Sequence, residues 1–162
     1  MKQLRRFPLA ASTMTLFMLF SGPVLAQMME KTTVNVIRNQ TMTEQTTINI
    51  AIAGQNVRVA LDDTPAAREF IAQLPLTVRF EDYGTTEKIS YLPRKLTTEG
   101  EPDGYTPVVG DFSYYAPWGN IAIFLKDFSY SRGLIRLGHI ESGLGVMSQK
   151  GEHDGIITLL NE

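Results

Sequence analysis

The chain has 162 residues, carries 15 Lys+Arg against 17 Asp+Glu, and contains no cysteine. Without cysteine there is no disulfide framework, thiolate metal site or cysteine for lipid attachment, so the fold must rest on its apolar core. The mildly acidic balance weighs against a nucleic-acid or anionic-membrane partner, each of which needs a basic footprint.

The first segment reads as an address rather than as fold. "MKQLRRF" gives a basic start, an apolar stretch runs to about Val24, and Val24-x-Ala26 supplies the small-x-small pattern of a secretory cleavage site. Phe7 to Ala26 would just cover a bilayer as an uncleaved anchor. The polar Ser12, Thr13, Thr15 and Ser21 and the cleavage-like end argue instead for a cleavable signal peptide over 1–26. The expected location is periplasmic or secreted. Removing Lys2, Arg5 and Arg6 with that segment takes the net charge from −2 to −5. The remaining length suits one domain with one core.

Residues 27–45 are polar and Thr-rich, with a brief alternation around Val34, Val36 and Ile37, and read as a tether with at most an edge strand. From Thr46 the pattern sharpens into a domain over 46–162. Ile48, Ile50 and Ile52, then Val57, Val59 and Leu61, alternate on either side of Gly54-Gln55, which predicts a β-hairpin. "DDTPAAREFIAQLP" changes the period: Asp63 or Thr64 caps, Pro65 opens a helix, Phe70, Ile71 and Leu74 share a face, and Pro75 ends it. Strands follow in "LTVRFEDYG" and "EKISYLP", then a long loop over 93–110 with three prolines and three glycines. Further strands are predicted at about 112–116 and 119–126, in "LIRLGHIES" and in "GIITLLN", with a short turn or helix near Gly143 to Gln149. Seven or eight short strands with one clear helix point to a mainly β barrel or sandwich with helical caps.

Three stretches carry a family resemblance: "DDTPAAREFIAQLP", "LPLTVRFEDYGTTEKISYLP" and "EGEPDGYTPVVGDFSYYAPWGNIAIFLKDFSYSRGLIRLGHIESG". Their most specific part is Gly110-Asp111, Tyr114, Pro117, Gly119 and Phe124. Across about 46–161 the chain resembles the bacterial cyclophilin-like domain family. The resemblance implies a closed cyclophilin-like β-barrel of about eight strands with one or two capping helices. True cyclophilins are peptidyl-prolyl isomerases with a catalytic arginine in a Phe-His-Arg type strand, and that motif has no counterpart here. The nearest arginine is Arg79 in "TVRF", which no histidine precedes. The fold carries over; the activity does not follow from it.

Candidate site residues come from the aromatics and the arginines. Eight of the twelve aromatic residues after Ala26 lie between Tyr105 and Tyr130. Tyr115 and Trp118, with Tyr83 or Tyr91, are expected to wall an apolar groove able to stack a proline or an aromatic ligand. Their structural alternative is a barrel rim, and Phe112, Tyr114 and Phe124 are expected in the core. Arg132 offers a forked donor to a carboxylate or peptide carbonyl, or else pairs with Asp127 or Glu141. Arg79 would stabilise a twisted prolyl amide, or else lies on a solvated strand face beside Glu81.

His139 is expected to share a face with Leu137 and Ile135, and His153 to be solvated in "KGEHDG". No pair has metal-ligand spacing, no loop has the calcium or phosphate pattern, and no cofactor is implied. The leading expectation is therefore an exported domain that binds a small apolar or peptide ligand at an aromatic rim, with no catalytic residue assigned. The alternative is a peptidyl-prolyl isomerase acting on extracytoplasmic chains, because rotation about the bond needs a pocket and a donor but no nucleophile.

Overall fold

The computed structural model describes residues 45–160. The expected signal peptide and nearly all of the expected tether, with its alternation around Val34 to Ile37, lie outside the described residues. The first hairpin pairs β1 (Thr47–Ile52) with β2 (Gln55–Leu61), Ile52 opposite Gln55. Its two-residue turn is Ala53-Gly54, one place earlier than the sequence suggests, and both turn residues have positive φ, 49° and 72°. That geometry matches the twist of the flanking strands.

Helix α1 (Pro65–Ile71) begins as predicted, with Pro65 in its first turn. Its cap is Thr64, whose Oγ1 accepts from the Ala67 N–H at 3.2 Å. The Glu101 carboxylate accepts from the Ala66 N–H at 2.8 Å, so the helix start is satisfied by two oxygens. Of the two caps the sequence offers, Thr64 takes the role, and Asp63 and its neighbour Asp62 have other tasks. Asp63 pairs with Arg68 at 3.0 Å and Asp62 with Arg136 at 3.0 Å.

The remaining elements are β3 (Leu76–Tyr83), β4 (Glu87–Tyr91), β5 (Gly104–Tyr105), β6 (Asp111–Tyr115), β7 (Asn120–Phe124), β8 (Ser131–Arg132), β9 (Leu134–Ser142), α2 (Leu144–Met147) and β10 (His153–Leu160). Eight strands close into an antiparallel barrel in the order β1-β10-β3-β4-β7-β6-β9-β2, while β5 and β8 form a separate two-stranded ribbon. Period-two alternation decides which side chains enter. Ile48, Ile50, Val57, Val59, Phe80, Phe112, Tyr114, Ile121, Ile123 and Leu137 form one buried interior with Phe70 of α1 and Met147 of α2. Phe70 meets Phe112 edge-on at 5.4 Å. The Tyr114 hydroxyl accepts from the Leu96 N–H at 3.1 Å, tying the loop after β4 to the same core.

A second, smaller cluster lies on the outer face of β4, β6, β7 and β9. There Ile89, Ala122, Phe124 and Leu134 are buried, with Tyr105 and Tyr115 packed against them. This gives β7 two covered faces, and Phe124 belongs to the outer one.

The strand β9 carries a register shift opposite Phe112/Ser113, so that Phe112 faces Gly138 while Ser113 faces Arg136. Leu137 is the extra residue of this bulge, and it reverses the alternation. His139 therefore does not share a face with Leu137, as the sequence suggests; it stands on the outside opposite Asp111. Asp111 is buried there, with Oδ1 3.3 Å from both Arg136 Nε and His139 Nδ1, and Oδ2 accepting from the Val108 N–H at 3.0 Å. The Gly110-Asp111 signature is thus a structural anchor.

One charged side chain is buried in the barrel and pairs with a partly exposed carboxylate. Lys88 is 0% exposed, and its Nζ donates to Asp82 Oδ1 at 2.5 Å and to the Gly151 carbonyl at 2.5 Å. The other Asp82 oxygen accepts from the Gly151 N–H at 2.7 Å, so the pair locks the turn before β10 onto β3 and β4. The Lys88 hydrogen bond and then the Gly151 N–H hold the Asp82 carboxyl below the usual carboxylate range. A depressed folded pKa stabilises the fold above the ordinary carboxylate value, and this contribution is lost as pH falls through the lowered one. Asp82→Asn, which strands the fully buried ammonium, is expected to lower Tm at neutral pH more than Lys88→Met, which strands a partly exposed carboxylate. Thermal melts of both variants at neutral and acidic pH check this, and the reverse ranking would refute the role assigned to the buried ammonium.

Candidate functional site

The outer apolar cluster does not fill its own surface. Between the ends of β3, β4, β6, β7 and β9 and the segment carrying Phe128 and Ser131 lies a cleft of about 170 Å³. It is lined by Tyr83, Glu87, Ile89, Tyr115, Trp118, Asn120, Phe124, Phe128, Ser131 and Leu134. These positions follow from the pleat. In β4 the inward Lys88 and Ser90 alternate with Glu87 and Ile89, and in β7 the inward Ile121 and Ile123 alternate with Asn120 and Phe124.

Trp118 stands at the mouth, 47% exposed, in the turn between β6 and β7. Gly119 turns that corner at φ 78°. The indole packs edge-to-face with Tyr83 at 5.5 Å and 81° and with Tyr115 at 5.5 Å and 77°. Three rings therefore wall the cleft at near right angles, which is the favoured packing of aromatic quadrupoles.

The Glu87 carboxylate and the Asn120 side-chain oxygen stand in this lining without partners among the described residues. The Glu87 side chain makes no hydrogen bond or ion pair among the described residues, and burial alone pushes its carboxyl above the usual range. Asn120 is 1% exposed; its Nδ2 donates to the Ile121 carbonyl at 3.1 Å, and its Oδ1 has no partner. The carbonyl of Ile121 can only accept, so it fixes which end of the amide is turned away from it.

The Glu87 shift has a consequence for stability. A raised folded pKa favours the neutral acid, so its contribution is fullest below the ordinary carboxylate value and is lost as pH rises through the raised one. Glu87→Gln is accordingly expected to raise Tm at neutral pH and to change it little in acid. A lowered Tm at neutral pH would mean that the carboxylate has a stabilising partner.

Of the six residues singled out from sequence, Tyr83, Tyr115 and Trp118 line the cleft. Tyr91 does not: it lies beyond Ile89 at the end of β4 and is 55% exposed. Arg79 is elsewhere, pairing with Glu152 and, at 3.6 Å, with Asp154. Arg132 follows Ser131 in β8 and does not line the cleft, nor does it pair with Asp127 or Glu141. Asp127 instead accepts from the Val109 N–H at 2.9 Å, and Glu141 lies 3.9 Å from Arg58.

Glu87, Asn120, Ser131, Phe128, Ile89 and Leu134 were not foreseen as site residues. For Glu87 the signal was present, since alternation in "EKISY" places it on one face with Ile89. Nothing in the local pattern says that this face is roofed. Among the described residues there is no cluster of three or more His, Asp or Glu side chains able to hold a metal. The Asp111–His139 pair lies outside the cleft lining.

The model of the cyclophilin-like family matches residues 50–159. The chain belongs to the cyclophilin-like family. Its barrel is similar to the solution structure of a hypothetical protein from Archaeoglobus fulgidus, with a TM-score of 0.57 and 16% identity. The alignment covers 72% of this chain and 98% of that one. At that identity the likeness is one of fold. A search of curated proteins gives no match. Membership of the cyclophilin-like family thus accounts for the closed barrel, while the cleft must be read from its own residues.

Proposed function

We propose that this cyclophilin-like domain is exported and holds a small apolar or peptide ligand in the aromatic cleft on the outside of its barrel. The observation that carries the reading is a cleft of about 170 Å³ walled by Tyr83, Tyr115, Trp118, Phe124 and Phe128. That volume is close to the roughly 150 Å³ of a cavity able to take benzene and below the roughly 300 Å³ where drug-sized sites begin. One side chain of a peptide, or a small molecule of that bulk, is the fitting occupant. The basic start, apolar stretch and Val24-x-Ala26 of the first 26 residues support export.

The isomerase alternative asks for a donor above a twisted prolyl amide. Neither Arg79 nor Arg132, the donors considered for that task, lines the cleft. No hydroxyl there is paired with a histidine or carboxylate base: the Ser131 hydroxyl donates to the Ser129 carbonyl at 3.4 Å. The arrangement favours binding over chemistry.

The test is ligand-observed NMR on the full chain with small neutral aromatics and with proline- and phenylalanine-containing dipeptides. Saturable binding is expected, reduced about tenfold or more by Trp118→Ala, since truncating a central aromatic anchor commonly costs 1–2 kcal/mol or more. Binding unaffected by Trp118→Ala would remove the cleft as the site. Recovery of the chain from the extracytoplasmic fraction with Gln27 at its N-terminus is expected, and retention of 1–26 in the cytoplasm would remove export.

A further inference from the structure

The formal charge of the cleft lining is one-sided. Ten of the described residues line the cleft, and among them are one carboxylate, Glu87, and no lysine, arginine or histidine. Lys126, at the same end of the sheet, is exposed, donates to Thr85 Oγ1 at 2.9 Å, and is not part of the lining. Asn120 adds a buried carbonyl oxygen with no donor to meet it. The same cleft is walled by the Trp118 ring, which stands near perpendicular to those of Tyr83 and Tyr115. Ring faces carry negative potential, and tryptophan and tyrosine attract a cation most strongly.

A neutral apolar ligand would take the Glu87 carboxylate further from water and return nothing, which is the costly way to bury a charge. An anion would meet that carboxylate directly. A cation with an apolar body satisfies both halves of the lining at once, because its charge answers Glu87 and the rings while its carbons cover Ile89 and Leu134.

We propose that the cleft binds a small organic ammonium ion, its charge seated between the Glu87 carboxylate and the Trp118, Tyr83 and Tyr115 rings. This rests on the reading of the cleft as the ligand site and narrows the ligand to one chemistry. The ammonium can belong to a free small molecule or to a side chain of a peptide. The cleft size sets the limit in both cases: a head group of a few carbons, with any larger body left outside.

Trp118 is the only tryptophan of the chain, so its fluorescence reports on the cleft itself. The full chain is titrated with choline and with 3,3-dimethylbutan-1-ol, which replaces the charged nitrogen by carbon at nearly constant shape. The same titrations are followed by ligand NMR, so that a silent fluorophore cannot hide binding. Choline is expected to bind at least about tenfold tighter than the alcohol, the range a desolvated cation–π contact supplies. Glu87→Gln is expected to bring the two within about threefold, weakening choline and, with the carboxylate's desolvation gone, tightening the alcohol. Tyr83→Leu, at a position 48% exposed in the fold, is expected to weaken choline selectively.

An acetylated peptide carrying trimethyllysine is the second cationic probe. Tighter binding than choline assigns the ammonium to a polypeptide, and weaker binding assigns it to a free molecule. Equal or tighter binding of the neutral alcohol by the unmodified chain overturns the ammonium assignment. If the neutral aromatics or dipeptides still bind through Trp118, the cleft remains the ligand site and only this inference falls. If no probe binds, both fall.

Discussion

Truncating Phe112 to alanine is expected to cost the barrel about 3–5 kcal/mol, the range for a fully buried phenylalanine. Phe112 is 0% exposed and points inward from β6, where it abuts Phe70 of α1. Alanine there removes the ring that joins helix to barrel, and the space cannot collapse, because the strands on either side of β6 are held by their own neighbours. Urea unfolding should show the loss as a shift in midpoint at unchanged slope, with a fall in Tm of roughly 10 °C or more. A loss below about 1 kcal/mol would mean that α1 settles into the vacated volume. The cleft, on the other side of the sheet, should keep its ligand in whatever fraction remains folded.

Gly138→Ala is expected to destabilise by about 3 kcal/mol, at the upper end of what overpacking costs. The reason is close approach. A Cβ at Gly138 would lie 2.1 Å from the Ala60 carbonyl oxygen and 2.9 Å from Leu61 Cα, both backbone atoms of β2. Leu61 stands opposite Gly138 in the β2–β9 pairing, and β2 is held on its other side by β1. Relief would need this strand pair to part. Gly145→Ala is the control: its Cβ would meet nothing within 4 Å, and it lies in α2. There alanine should be neutral or stabilising by up to about 1 kcal/mol through helix propensity. Thermal and urea unfolding of the two variants side by side decide the matter; equal effects would rule out interstrand contact as the cause.

Most of the barrel was legible because its strands announce themselves in period two. Ile48, Ile50 and Ile52 against Val57, Val59 and Leu61 specify a hairpin from local pattern alone, and Pro65 with Thr64 marks the helix start. The bulge at Leu137 was not legible. An extra residue changes the face of everything after it, and only the pairing with Phe112 and Ser113 reveals it.

The cleft was half legible for a related reason. Trp118 and Tyr115 stand out in an aromatic-rich stretch, and Tyr83 was named with them. Glu87 and Asn120 do not stand out, since each is one polar residue in a short strand. Glu87 joins this lining because β4 pairs with β7, with Glu87 opposite Phe124, and no local pattern announces that pairing. The arginines misled for the opposite reason: a guanidinium suggests chemistry wherever it occurs, and Arg79 spends its donors on Glu152 and Asp154.

The closed ring of eight strands has a further consequence for how such a domain changes over time. Each barrel strand has a neighbour on both sides, so the barrel has no vacant edge on which a peptide can pair by main-chain bonds. Its choice of ligand must be written in side chains, and those of the cleft occupy the outward beats of β4 and β7 while the inward beats hold the fold. Foldability and selectivity thus sit on alternate letters of the same short words. A lineage can rewrite one set without erasing the other.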